Sequence, residues 1–177
     1  MTHEIICAGF GGQGVMLIGQ LIAYAGMFEG KNVSWVPSYG PEMRGGTANC
    51  SVVVSDEPVG SPVISEPNGV IVMNQPSLEK FLPAVKSGGV LVYNSSLITM
   101  KETRDDLQII AAPANDLATE LGNSKVANLV ALGAFLQKTN VVTADGIGKA
   151  LEKVLPPHRH KLIPLNLEAL KKGMTLV

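Results

Sequence analysis

Six residues near the start of the chain, Gly9-Phe10-Gly11-Gly12-Gln13-Gly14, carry the G-x-G-x-x-G spacing. They follow an apolar run and open a segment of helical periodicity, the context a dinucleotide fingerprint requires. Glycines there let a ligand approach the backbone closely. The helix N-terminus behind them carries partial positive charge and favours an anion. Gly11, Gly12 and Gln13 are therefore candidate ligand contacts. A nicotinamide dinucleotide also needs an acid about 20 positions on, at the end of the next strand, to hold a ribose hydroxyl. That strand reads Val33-Ser34-Trp35-Val36 and runs into Pro37-Ser38, with no acid and no basic pair. No Lys-Ser or Lys-Thr follows the glycines, so a Walker-type phosphate loop is excluded. Two readings stay open: a tight strand-to-helix turn that permits close packing, and a contact for a ligand other than NAD.

A second loop, Pro37-Ser38-Tyr39-Gly40-Pro41-Glu42-Met43-Arg44-Gly45-Gly46-Thr47, holds Tyr, Glu and Arg within six residues. Its prolines set direction and its glycines permit tight turns. In a doubly wound sheet it leaves the carboxyl end of the second strand, where ligands and partners are met. Arg44 beside Gly45-Gly46 suits a phosphate or carboxylate. It equally suits an ion pair with Glu42 or across a subunit interface.

The remaining chemistry-bearing residues are sparse. His158-Arg159-His160 offers two imidazoles but no third ligand, and reads as a solvated basic turn. Asn74, at the end of an expected strand, suits a helix cap or a ligand contact. Asn128, inside an otherwise apolar helix, needs hydrogen-bond partners and is expected to find them in one of the two glycine-rich loops. Trp35 and Tyr39 suit a core or an interface. No nucleophile–base pair and no general-base histidine can be assembled, so no catalytic residue and no metal site is assigned. Cys7 and Cys50 each lie in an apolar strand-like run and read as buried, reduced thiols.

The elements that must position these residues follow from periodicity. Strands are expected at Glu4–Ala8, Val33–Val36 (stopped by Pro37), Thr47–Ser55, Gly69–Met73, Gly89–Tyr93 and Leu107–Ala111. Helices are expected at Gln13–Phe28, Ser77–Val85, Asn115–Leu121, Lys125–Gln137, Thr143–Leu155 and Asn166–Lys172. Thr143 is the N-cap of its helix, and Gly30 and Gly173 lie just past helix ends. Alternating strands and helices predict an α/β fold, a single three-layer Rossmann-like domain over residues 1–177 with a largely parallel sheet. Residues 32–55 suit an antiparallel excursion, which would make the sheet mixed.

Composition narrows the function classes. Net charge is −1, so nothing marks a nucleic-acid or anionic-membrane partner. No run reaches the roughly 18 apolar residues of a membrane span. The first residues lack the basic start of a signal peptide, and a cytoplasmic location is expected. Charged residues are 16% and hydrophobic residues 46%, a balance that predicts helices on both sheet faces and surface buried against partners.

The two loops together resemble the gamma-type subunit, or equivalent domain, of the pyruvate/ketoisovalerate/2-oxoglutarate ferredoxin oxidoreductases. The matching stretches are 9–15, 37–55 and 123–134, with a weaker match at 166–173. The resemblance implies a subunit of a 2-oxoacid:ferredoxin oxidoreductase complex. Such a complex decarboxylates a 2-oxoacid oxidatively with CoA, giving acyl-CoA, carbon dioxide and reduced ferredoxin, and 2-oxoglutarate is slightly favoured as substrate. It further implies that thiamine diphosphate, Mg and iron–sulfur clusters sit on partner subunits. This chain, inactive alone, would lie near CoA, with Gly11, Gly12, Gln13 and Arg44 as CoA or interface contacts. The sequence agrees in having no cysteine quartet and no thiamine-type Gly-Asp-Gly motif. A pure assembly module and an independent nucleotide-binding oxidoreductase are the alternatives.

Overall fold

The computed structural model describes residues 1–39 and 47–177, with the backbone alone at Tyr39. Six strands form one sheet: β1 (Thr2–Phe10), β2 (Asn32–Tyr39), β3 (Thr47–Ser55), β4 (Gly69–Val72), β5 (Val90–Asn94) and β6 (Gln108–Ala112). Their order is β2-β3-β1-β4-β5-β6. β1, β4, β5 and β6 pair in parallel, while β3 is antiparallel to both of its neighbours. The expected mixed sheet is therefore present, with β3 as the reversed strand.

Alternation along the strands assigns side chains to two faces. Ile5 and Cys7 of β1 join Cys50, Val52 and Val54 of β3 in the larger core cluster. The helices α1 (Val15–Phe28), α3 (Ala114–Glu120), α4 (Ala127–Thr139), α5 (Ala144–Val154) and α6 (Ile163–Met174) contribute to that cluster. Ile6 and Ala8 face the other way, into a smaller cluster under α2 (Gln75–Phe81). β4, covered on both faces, is buried at every position. The β2–β3 wing has one face less covered, and Ser34, Val36, Asn49 and Ser51 there are half-buried or exposed.

Pro37 does not stop β2, which continues to Tyr39 with Pro37 opposite Cys50. Register explains the tolerance. The carbonyls of Glu4 and Ala8 accept from the β4 side, and that of Met1 accepts from Asp56 opposite. Odd residues of β1 therefore bond to β3, odd residues of β3 bond to β2, and odd residues of β2 point their backbone groups outward. Pro37 lacks an N–H where the edge strand would have had no partner, and it blunts that edge against another chain.

Other boundaries shift for similar reasons. α2 begins at Gln75 because the Asn74 side chain accepts from the Ser77 N–H at 3.0 Å. It gives way to a 3-10 turn at Leu82–Ala84, where Pro83 cannot donate. The helix expected at Lys125–Gln137 is a 3-10 turn, Ser124–Val126, followed by α4. α6 starts at Ile163 and carries Gly173 inside it rather than beyond its end.

Thr143 is the N-cap of α5, as its type and position predict. Its Oγ1 accepts from the Gly146 N–H at 3.0 Å and donates to Glu29 Oε1 at 2.7 Å. The Thr143 N–H donates to the same oxygen at 2.8 Å, tying α5 to the end of α1. Thr143→Ala is expected to cost about 1–2 kcal/mol in urea denaturation, and Thr143→Ser to restore most of it. Among the described residues no helix is long and apolar enough to cross a membrane.

Candidate functional site at the glycine loop

The crossovers set the site. α1 leaves β1 onto the larger core's face, and α2 leaves β4 onto the opposite face. Such a divergence opens a crevice at the carboxyl ends of β1 and β4, the usual ligand position in open α/β sheets. The glycine loop sits there. Gly12 has φ +93° and Gly14 φ +74°, both in the left-handed region that favours glycine. Gly9 serves a different end: a Cβ there would lie 2.7 Å from Gln13 Oε1 and 3.0 Å from Met73 Cβ.

Gln13 uses that space to close the loop on itself. Its Oε1 accepts from the Phe10 N–H at 2.7 Å, and its Nε2 donates to the Met73 carbonyl at 3.2 Å. The side chain thus spans from the end of β1 to the end of β4. It lies across the crevice where a dinucleotide's phosphates would sit. The strand order disfavours a dinucleotide as well. β2, which follows the glycine-loop helix, is separated from β1 by β3. Its end is therefore about 10 Å from β1 rather than one strand spacing away.

Asn128 finds the partner its sequence context demands. Its Nδ2 donates to the Gly14 carbonyl at 3.2 Å, linking α4 to the loop. Its Oδ1 is buried with no partner. Asn94, at the end of β5, braces the neighbouring turn. Its Oδ1 accepts from the Ala114 N–H at 3.2 Å, and its Nδ2 donates to Asn115 Oδ1 at 2.7 Å.

Two clefts flank the loop. One, of about 380 Å³, is lined by Phe10, Gly11, Gly12, Gly14, the first turn of α1, Thr47, Ala48 and Arg159. It is mainly apolar, with Arg159 at its side. The N-terminus of α1 has no side-chain cap and no acid in its first turn, so its field is left for an anion. The second, of about 180 Å³, is lined by Gly12, Gln13, Met73, Asn115, Ser124, Lys125, Ala127 and Asn128. It is more polar and has Lys125 on its wall.

Of the residues expected at a site, the structure places Gly11 on the first cleft, Gly12 on both and Gln13 on the second. Arg44 and Glu42 lie outside the described residues. Arg159 and Lys125 were not expected. Arg159 stands in a 3-10 turn, Pro157–Leu162, more than a hundred residues from the loop it approaches, and its sequence shows a plain basic turn. Its neighbour His160 has its Nε2 2.8 Å from the Leu155 carbonyl rather than free in solvent. Among the described residues no group of three metal-ligating side chains occurs.

Comparison with known proteins matches residues 4–176 to the family model of pyruvate ferredoxin/flavodoxin oxidoreductase. The chain is 37% identical over 166 residues to the ketoisovalerate oxidoreductase subunit VorA of Methanothermobacter marburgensis, covering 94% of this chain and 34% of that one. It thus spans about a third of that relative's length. It is 34% identical to the 2-oxoglutarate synthase subunit KorC of Methanocaldococcus jannaschii, covering 98% and 92%. The crystal structure of a keto/oxoacid ferredoxin oxidoreductase gamma subunit from Geobacter sulfurreducens superimposes with a TM-score of 0.86 at 32% identity, covering 99% and 96%. The chain belongs to the 2-oxoacid:ferredoxin oxidoreductase family, as its gamma-type subunit or domain.

Proposed function

We propose that this chain forms one wall of the CoA site in a complex that oxidatively decarboxylates a 2-oxoacid. Thiamine diphosphate, Mg and the iron–sulfur clusters belong to partner subunits, and ferredoxin takes the electrons. The observation that carries this reading is the first cleft. Its apolar lining with Phe10 suits a pantetheine arm, while Arg159 and the uncapped N-terminus of α1 suit a phosphate. The chain's own residues bind and orient; they perform no bond-making step.

2-Oxoglutarate is the favoured substrate, because relatives of matching length, such as the Methanocaldococcus chain, are named 2-oxoglutarate synthase subunits. Activity of the purified complex on a panel of 2-oxoacids tests it, and a preference for pyruvate or a branched-chain acid would overturn it. Arg159→Ala is expected to raise the KM for CoA about tenfold with kcat little changed, the weight of one charge-assisted contact of ~1.4 kcal/mol. Arg44→Ala is expected to act in the same direction. An unchanged KM in both variants would favour an assembly module without ligand contact. A thermal shift of the chain with NADH would favour independent nucleotide binding instead.

A further inference from the structure

Cys7 and Cys50 read in sequence as separate buried thiols, yet the sheet sets them directly opposite each other on β1 and β3. Both are fully buried and point into the larger core. Cys7 is an odd residue of β1, so the two form a hydrogen-bonded antiparallel pair. Such pairs have a Cα separation of about 5.5 Å, inside the range of about 4.4–6.8 Å that disulfides span. The Cys50 thiol donates to the Val15 carbonyl at 3.5 Å.

A third group converges on the same place. Trp35 is a diagonal neighbour of Cys50 across β2 and β3, and its indole Nε1 is buried without a hydrogen-bond partner. A Cβ on Gly19 would lie 2.4 Å from Cys50 Sγ and 2.8 Å from Trp35 Nε1, so both atoms crowd beneath the same turn of α1. An indole N–H donates and never accepts, so a negatively charged sulfur at Cys50 would satisfy it. A cleft of about 250 Å³, lined by Gln20, Ala23, Tyr24, Met27, Val33 and Trp35, brings solvent to the indole. Trp35, which lines that cleft, is the side chain whose Nε1 crowds with Cys50 Sγ beneath Gly19.

We propose that Cys7 and Cys50 are a peroxide-responsive dithiol that closes to a cross-strand disulfide. Cys50 is the attacking sulfur. Its thiolate takes one oxygen from hydrogen peroxide, giving the sulfenic acid and hydroxide. The hydroxide takes up the proton lost by the Cys50 thiol and leaves as the first water. The Cys7 sulfur then bonds to the Cys50 sulfur and displaces the sulfenic oxygen, which takes the Cys7 proton and leaves as the second water. The sum is two thiols and one peroxide giving one disulfide and two waters. The roles agree with the environment. The interaction with Cys50, together with burial, pushes the Cys7 thiol well up, whereas the interaction with Cys7 lowers Cys50 against the opposing effect of its burial. Hydrogen-bonded pairs hold their Cβ atoms about 5.5 Å apart, wider than the roughly 3.8 Å of a relaxed disulfide. The bond must draw β1 and β3 together, and the resulting strain makes it easily reduced. The closure falls two residues from the Gly9–Ala48 pair, whose Ala48 lines the first cleft.

The test treats the reduced full-length chain with hydrogen peroxide, then denatures, alkylates and weighs it. The expected result is loss of both alkylation sites, a mass lower by two hydrogens and a Cys7–Cys50 peptide cross-link. A dithiol reductant should reverse all three. Trp35, the chain's one tryptophan, should lose fluorescence on oxidation and regain it on reduction. Cys7→Ser should instead leave a sulfenic acid on Cys50 that a dimedone probe traps. Two thiols still alkylated after treatment would overturn the proposal, as would separate sulfinic acids or cross-links between chains.

Discussion

Gly133→Ala is expected to destabilise the chain by about 3 kcal/mol, although alanine is the better helix former by about 1 kcal/mol. A Cβ at Gly133 of α4 would lie 2.0 Å from the Leu170 carbonyl oxygen of α6. Reciprocally, a Cβ at Gly173 of α6 would lie 1.9 Å from the Val130 carbonyl oxygen of α4. Each glycine accepts the backbone of the other helix, so no rotamer change relieves the contact. The helices must part, and the packing of Leu170, Ala169 and Ala134 around the crossing loosens with them. Overpacking of this kind usually costs 1–3 kcal/mol, and a backbone obstacle places it at the upper end. Urea unfolding at constant m-value would measure it. Gly173→Ala should cost about as much, and the double variant less than the sum, since helices parted by one methyl group accommodate the second. Gly148→Ala in α5 is the control. Its Cβ would meet only Leu167 Cδ2 at 3.7 Å, so it should stabilise by up to about 1 kcal/mol. A neutral or stabilising Gly133→Ala would refute the interlocked crossing.

Gly14→Ala is expected to cost about 3–4 kcal/mol and to remove the glycine loop from its working shape. Part of this is backbone strain, since an alanine at φ +74° pays about 1–2 kcal/mol. The rest is Asn128. The new Cβ would lie 2.3 Å from its Nδ2 and 2.9 Å from its Cγ, so the amide must move and its bond to the Gly14 carbonyl is lost. Because the Oδ1 already lacks a partner, the displaced amide would be buried wholly unpaired, a cost of about 1–3 kcal/mol. Gly12→Ala separates the two contributions. It has φ +93° but open space around its Cβ position, so it should show strain alone, about 1–2 kcal/mol. Asn128→Ala in the Gly14→Ala background should recover part of the loss. Equal costs at Gly12 and Gly14 would mean that Asn128 does not brace the loop.

Local patterns carried much of the fold. The expected strand Thr47–Ser55 matches β3 at both ends; a two-residue burial period runs from Thr47 to Val52, and Val52–Ser55 are buried at every position. Thr143 caps α5 because capping needs only a hydroxyl three residues before its donor. The glycine spacing at 9–14 likewise marked the strand-to-helix turn, and its missing acid argued against a dinucleotide. Boundaries at Pro37 and Gly173 went astray because each depends on a neighbour remote in sequence. Pro37 is tolerated because its position faces the open edge. Gly173 stays helical because α6 must pass close to α4.

By itself the sequence determined the strands and helices, an α/β sheet with room for an antiparallel excursion, the glycine loop and the family to which the chain belongs. These rest on periodicity and on motifs within a few residues, which local sterics and burial dictate. Tertiary structure alone decided which groups meet. Gln13 closes on Met73 sixty residues away, Asn128 reaches Gly14, Arg159 arrives beside the loop and Cys7 faces Cys50. Such meetings depend on strand order and register, which no local period encodes. A shift of one residue in the β1–β3 register would turn Cys50 to the opposite face and leave Cys7 without a partner.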